Sequence, residues 1–97
     1  MVRILEVKGK TGKKIYLTDE RYVHIKKHPE MQNNLAMIEK TVKNPQKIAD
    51  YSLDSDVKYY YRRYKDRKSK AKYLRFVIKY LNGEGFIITA YFVVGIA

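Results

Sequence analysis

The sequence predicts an α+β domain with a short N-terminal hairpin, two N-terminal helices and then a curved antiparallel sheet of about four strands. Three observations lead there. Short β-prone runs open the chain, a helix-period stripe of apolar residues follows, and from Lys47 onward the pattern turns to β, its last two runs rich in Val, Ile, Phe and Tyr on both alternating sets of positions.

The runs VRILEV (2–7) and KKIYL (13–17) flank KGKTG, whose two glycines suit a hairpin turn. Thr18, followed by Asp19 and Glu20, has the chemistry of a helix start: a hydroxyl for an orphan N–H, then acids favoured by the helix dipole. The first helix is expected over 18–28. His28-Pro29 should end it, because the residue before proline disfavours the α region, and Pro29 can open a second helix. Met31, Leu35, Ile38 and Val42 form the apolar stripe of that helix, which stops at Asn44-Pro45. The remaining strands are read in KIADYSL (47–53), VKYYYRRY (57–64), KYLRFVIKYL (72–81) and GFIITAYFVVGI (85–96). A turn over 82–85, NGEG, joins the last two. Pairing across it sets Ile78 opposite Thr89 and Phe76 opposite Tyr91. Thr89 and Tyr91 then share one face while Arg75 and Lys79 share the other.

Ninety-seven residues hold one core, so residues 1–97 are read as a single domain. No cysteine is present, which removes disulfides, thiolate metal sites and a cysteine nucleophile. The chain opens without the apolar segment of a signal peptide and has no apolar run of about 20 residues, so a cytoplasmic protein is expected. With 21 Lys and Arg against 10 Asp and Glu, the net charge of +11 favours polyanions: nucleic acid first, an anionic membrane second. Heat-adapted proteomes are also rich in lysine and tyrosine, so charge alone does not decide.

Three groups of residues could carry chemistry. On a regular helix Arg21, His24 and His28 lie along one edge, a guanidinium with the chain's two imidazoles. Two histidines can act as acid and base near neutral pH, and an arginine can hold a phosphate. The same edge could equally be solvated surface. A shared metal lacks a third ligand, so no metal and no cofactor is expected. The second group is 57–73, where eight Lys or Arg, including Arg62 and Arg63, and one acid give +7 of the +11, interleaved with five tyrosines. Cations contact phosphates and phenol rings stack on unpaired bases, a combination that fits RNA better than duplex DNA. A soluble hairpin tip is the plainer alternative. The third is the strand IITAY (87–91), whose Thr89 and Tyr91 can hydrogen-bond a phosphate or a 2′-OH. Both are also ordinary strand residues.

RYVHIKKHPE, IEKTVKNPQKI, YYYRRY and KYLRFVIKYLNGEGFIITAYF together resemble a phage and mobile-element group of the barnase, EndoU, colicin and RelE-like nuclease superfamily, over about residues 18–92. The resemblance implies helices on one face of the sheet and RNA on the other. It implies a small toxin-type endoribonuclease that needs no metal, in which the 2′-OH attacks the adjacent phosphorus. His24 and His28 would be acid and base, with Thr89 and Tyr91 as strand groups of the site and Arg21 as a phosphate clamp. Arg62, Arg63, Arg75 and Lys79 would offset charge on the phosphorane. The implied partners are RNA (tRNA, rRNA or mRNA) and an acidic antitoxin protein, with no membrane. A noncatalytic RNA-binding or ribosome-associated module is the alternative.

Overall fold

A computed structural model describes residues 2–31 and 35–96. Strands β1 (Arg3–Lys8) and β2 (Lys14–Thr18) form the opening hairpin; α1 (Asp19–Ile25), a 3₁₀ turn (Pro29–Met31) and α2 (Leu35–Lys43) follow. The chain then runs through β3 (Lys47–Tyr51), β4 (Asp54–Arg63), β5 (Tyr73–Leu81) and β6 (Glu84–Val93).

The expected four-stranded antiparallel sheet with a separate hairpin is corrected here. One six-stranded mixed sheet runs in the order β1-β2-β6-β5-β4-β3, and β2 lies parallel to β6 through Ile15–Gly85 and Tyr16–Phe86. An edge strand leaves a row of backbone N–H and C=O groups without partners. β2 takes up the start of that edge on β6, at Gly85 and Phe86, and α1 packs against β6 as well. The hairpin also shares the main core. Val7, Ile15 and Leu17 are buried in the same cluster as Tyr60, Leu74, Phe76 and Ile78 of the sheet.

Both helices feed that cluster: α1 with Ile25, α2 with Ile38 and Val42, and the 3₁₀ turn with Met31. Thr18 caps α1 by accepting a hydrogen bond at Oγ1 from the N–H of Arg21 at 3.2 Å. The helix ends three residues sooner than expected. The N–H groups of Lys27 and His28 donate to the carbonyls of His24 and Ile25, three residues back, at 3.3 and 3.1 Å. Such i to i−3 bonds tighten the backbone as it approaches Pro29. The second helix likewise does not run unbroken from Pro29; a single 3₁₀ turn stands at 29–31, residues 32–34 of the expected helix lie outside the described residues, and α2 starts at Leu35.

On β5, Leu74, Phe76 and Ile78 point at the helices, so Tyr73, Arg75, Val77 and Lys79 point away from them. Their antiparallel partners on β4, Tyr59, Tyr61 and Arg63 among them, share that second face. No helix covers it among the described residues.

Candidate functional site

The β5–β6 hairpin turns on two residues, Asn82 and Gly83, with φ of 54° and 81°, which suits a type I′ turn and leaves Leu81 opposite Glu84. From there Ile78 pairs with Ile87. One step on, the register shifts, and Val77 pairs with Thr89. Ile88 is therefore an extra residue, a β-bulge, and it reverses the facing of everything after it on β6. Ala90 and Phe92 turn into the core, while Tyr91 lies opposite Arg75. This overturns the expected pairing of Ile78 with Thr89 and Phe76 with Tyr91. Thr89, Tyr91, Arg75 and Lys79 all occupy the open face.

Arg75 is the centre of that face. Its Nη2 donates to the Tyr91 hydroxyl at 2.9 Å and its Nη1 to the Tyr61 hydroxyl at 3.3 Å. The guanidinium carbon lies 4.9, 5.0 and 5.9 Å from the ring centroids of Tyr91, Tyr59 and Tyr61. Arginine over the negative face of a phenol is favourable, and more so where water is thinned out. No carboxylate pairs with Arg75 among the described residues, and its Nε is buried with no acceptor there. A fixed cation walled by rings and without a carboxylate partner has the chemistry to attract a phosphate oxygen.

His28 reaches this group from the turn after α1. Its ring centroid is 6.1 Å from that of Tyr91. His24 does not. It stays exposed on α1 beside a cavity of about 340 Å³ lined by Glu20, Arg21, Val23 and Lys27. The early end of α1 accounts for the split, because positions 24 and 28 share an edge only while the helix continues. Arg21 looks two ways, bordering that cavity and a smaller one of about 170 Å³ beside Tyr16, Phe86 and Ile88. Thr89 is half-buried two residues before Tyr91.

The other cations divide. Lys79 is engaged by Asp54, with Nζ 2.5 Å from Oδ2. That hydrogen bond, and then the Asp56 N–H, hold the Asp54 carboxyl below the usual carboxylate range, and Lys79 is raised in turn. Arg63 shares the open face but sits at its end, whereas Arg62 pairs with Leu74 on the helix side and donates from Nη1 to the Asn44 carbonyl at 2.8 Å. Sequence reasoning missed Tyr59 and Tyr61 as individual contributors. The YYYRRY run does carry a signal for them, since alternation along a strand must put the first and third of three consecutive tyrosines on one face.

No helix is long and apolar enough to cross a membrane among the described residues. No family model, curated protein or solved structure matches the chain.

Proposed function

We propose that this chain binds RNA on the open sheet face and cleaves it by attack of the 2′-OH on the neighbouring phosphorus, as a small endoribonuclease of toxin type. The observation that carries the reading is the meeting of His28, Tyr91 and Arg75 on that face. His28 takes the 2′-OH proton as the 2′-oxygen bonds to phosphorus. The bond from phosphorus to the 5′-oxygen breaks, and that oxygen receives a proton from the Tyr91 hydroxyl, leaving a 2′,3′-cyclic phosphate. Arg75 offsets the charge on the pentacoordinate phosphorus with donors already in place, which is where a fixed cation acts best. Tyr59 and the exposed edge of the tyrosine group offer rings to the flanking bases. Arg63 and Lys79 lie further along the same face. The sequence resemblance to the barnase, EndoU, colicin and RelE-like nucleases points the same way.

The test is incubation of the purified protein with tRNA, ribosomal RNA and single-stranded oligomers in EDTA. Cleavage with cyclic-phosphate ends is expected, reduced by about 10²–10⁴-fold in His28→Ala, the range for losing a general acid or base. His24→Ala should stay close to the unaltered protein. Cleavage that survives His28→Ala unchanged would sink the mechanism.

A second reading, a noncatalytic RNA-binding module, is favoured by the position of His24, which leaves a single imidazole at the face. It predicts salt-sensitive RNA binding without cleavage, unaffected by replacing either histidine.

A further inference from the structure

We propose that the rim where β4 leaves the sheet is a second phosphate-binding site, which takes the backbone of a folded RNA while another segment of the same RNA lies on the open face. This rests on the RNA reading above.

The rim holds a cavity of about 480 Å³ bordered by Lys40 of α2, Gln46, Arg62 and Arg63 at the end of β4, and Lys65 and Asp66 just beyond. Four cations and one acid face it. None of the four cations is in an ion pair among the described residues. Cations that outnumber acids four to one raise the local density of anions and are relieved by phosphate.

The cavity is built rather than incidental. Arg62 is tied to the Asn44 carbonyl just after α2, where the negative end of the helix dipole favours a cation. That uses one of its five N–H donors. The N–H of Arg63 donates to Gln46 Oε1 at 2.7 Å, and the Gln46 N–H to the Tyr61 carbonyl at 2.8 Å, so the floor is pinned to β4. The loop carrying Lys65 is also held. Lys72 Nζ donates to the carbonyls of Lys65 and Arg67, and Arg67 stacks its guanidinium 3.6 Å over the Phe92 ring while Nε donates to the Ala71 carbonyl.

Position separates this site from the first, with Arg63 at the boundary between them. Arg62 pairs with Leu74 and faces the helices, while its neighbour Tyr61 pairs with Arg75 and faces away. Successive strand residues point to opposite sides. A short single strand lying flat over Arg75 stays on one side of the sheet, whereas a stem presents two backbones across a groove and can straddle the rim. The class of ligand is thus a structured RNA, a stem with an adjoining single-stranded segment.

The experiment measures affinity against salt for two RNAs: a short single-stranded oligomer, and a hairpin carrying that same sequence beside its stem. Lys40→Gln/Lys65→Gln changes two exposed side chains, and Arg62→Gln is the second variant. For the hairpin, the slope of log affinity against log salt should shrink by roughly 0.7–0.9 for each phosphate no longer neutralised, with affinity down about tenfold or more in the double variant. Oligomer binding should be unchanged. Equal weakening of both RNAs, or no weakening of either, overturns the rim site and leaves the open-face reading standing. If the unaltered protein binds neither RNA, both proposals fall together.

Discussion

Arg75 has one structural peculiarity that decides how the site should respond to change: it divides its donors between two phenols and keeps a third, Nε, without an acceptor among the described residues. Lysine carries the same charge but cannot fork in this way. Under the proposed cleavage mechanism, Arg75→Lys is therefore expected to lower the turnover of RNA by about 10²–10³-fold, the usual loss when a preorganised donor is removed from a transition state. RNA binding should weaken far less, since the charge remains. Single-turnover kinetics beside equilibrium binding separate the two effects, and equal losses in both would make Arg75 a docking residue only. Tyr91→Phe sharpens the point further. It keeps the ring against His28 and removes only the hydroxyl, so a phenol that delivers the proton predicts a loss confined to the cleavage step. At this scale the sequence named residues that the structure brings to one face, but not their partners. Arg21, His24 and His28 are one edge on a helical projection, yet of the three only His28 stands beside Tyr91, because a turn and a proline intervene and no spacing rule reports which way the chain leaves a helix.

Two features set those positions, one with a cause local to the sequence and one imposed by the core. The first is the Thr18 cap, whose hydroxyl fixes the start of α1 and with it the turn that carries His28. Losing such a cap costs about 1 kcal/mol. Thr18→Ala should lower the melting temperature by roughly 4–8 °C in a domain of this size, read by circular dichroism. This cap was legible from Thr18-Asp19-Glu20 alone. So were the amphipathic stripe of α2, the last hairpin and the acid-rich first turn of α1. The second element is the bulge at Ile88, which was not legible. Ile87-Ile88-Thr89 reads as an unbroken strand, and nothing in its composition marks one residue as surplus. The bulge follows from the need to bury Ile87 on one side of it and Ala90 with Phe92 on the other, a requirement set by the core and not by the strand. A single extra residue thus moved Tyr91 from the face of Phe76 to the face of Arg75. The missed parallel pairing of β2 with β6 has the same origin, since two distant segments meet there and neither carries a local signal for the other.

Across the whole molecule, 21 Lys and Arg stand against 10 Asp and Glu, and the ion pairs that form among the described residues are informative. Asp54 is held below its ordinary range by Lys79 first and by the Asp56 N–H second, so its ionised form is favoured in the folded state. The stabilisation is present above the unfolded carboxyl value of about 3.9 and is lost as the pH falls through the lower folded value. Asp54→Asn should flatten the acid limb of stability, measured by denaturant unfolding across that range, and a limb of unchanged steepness would show that Asp54 does not contribute to it. The same substitution frees Lys79 on the open face, so it should also tighten RNA binding at low salt. The parallel junction of Ile15 with Gly85 and Tyr16 with Phe86 has a consequence in time as well as in space. Contacts between segments so far apart along a chain close late, because the loop entropy must be overcome before they add stability. His28 precedes nearly all of the intervening chain and Tyr91 follows it. A ribosome making this protein joins the histidine, both helices and every strand up to β5 before the tyrosine exists, so the proposed pairing of His28 with Tyr91 cannot form until synthesis has reached the end of β6.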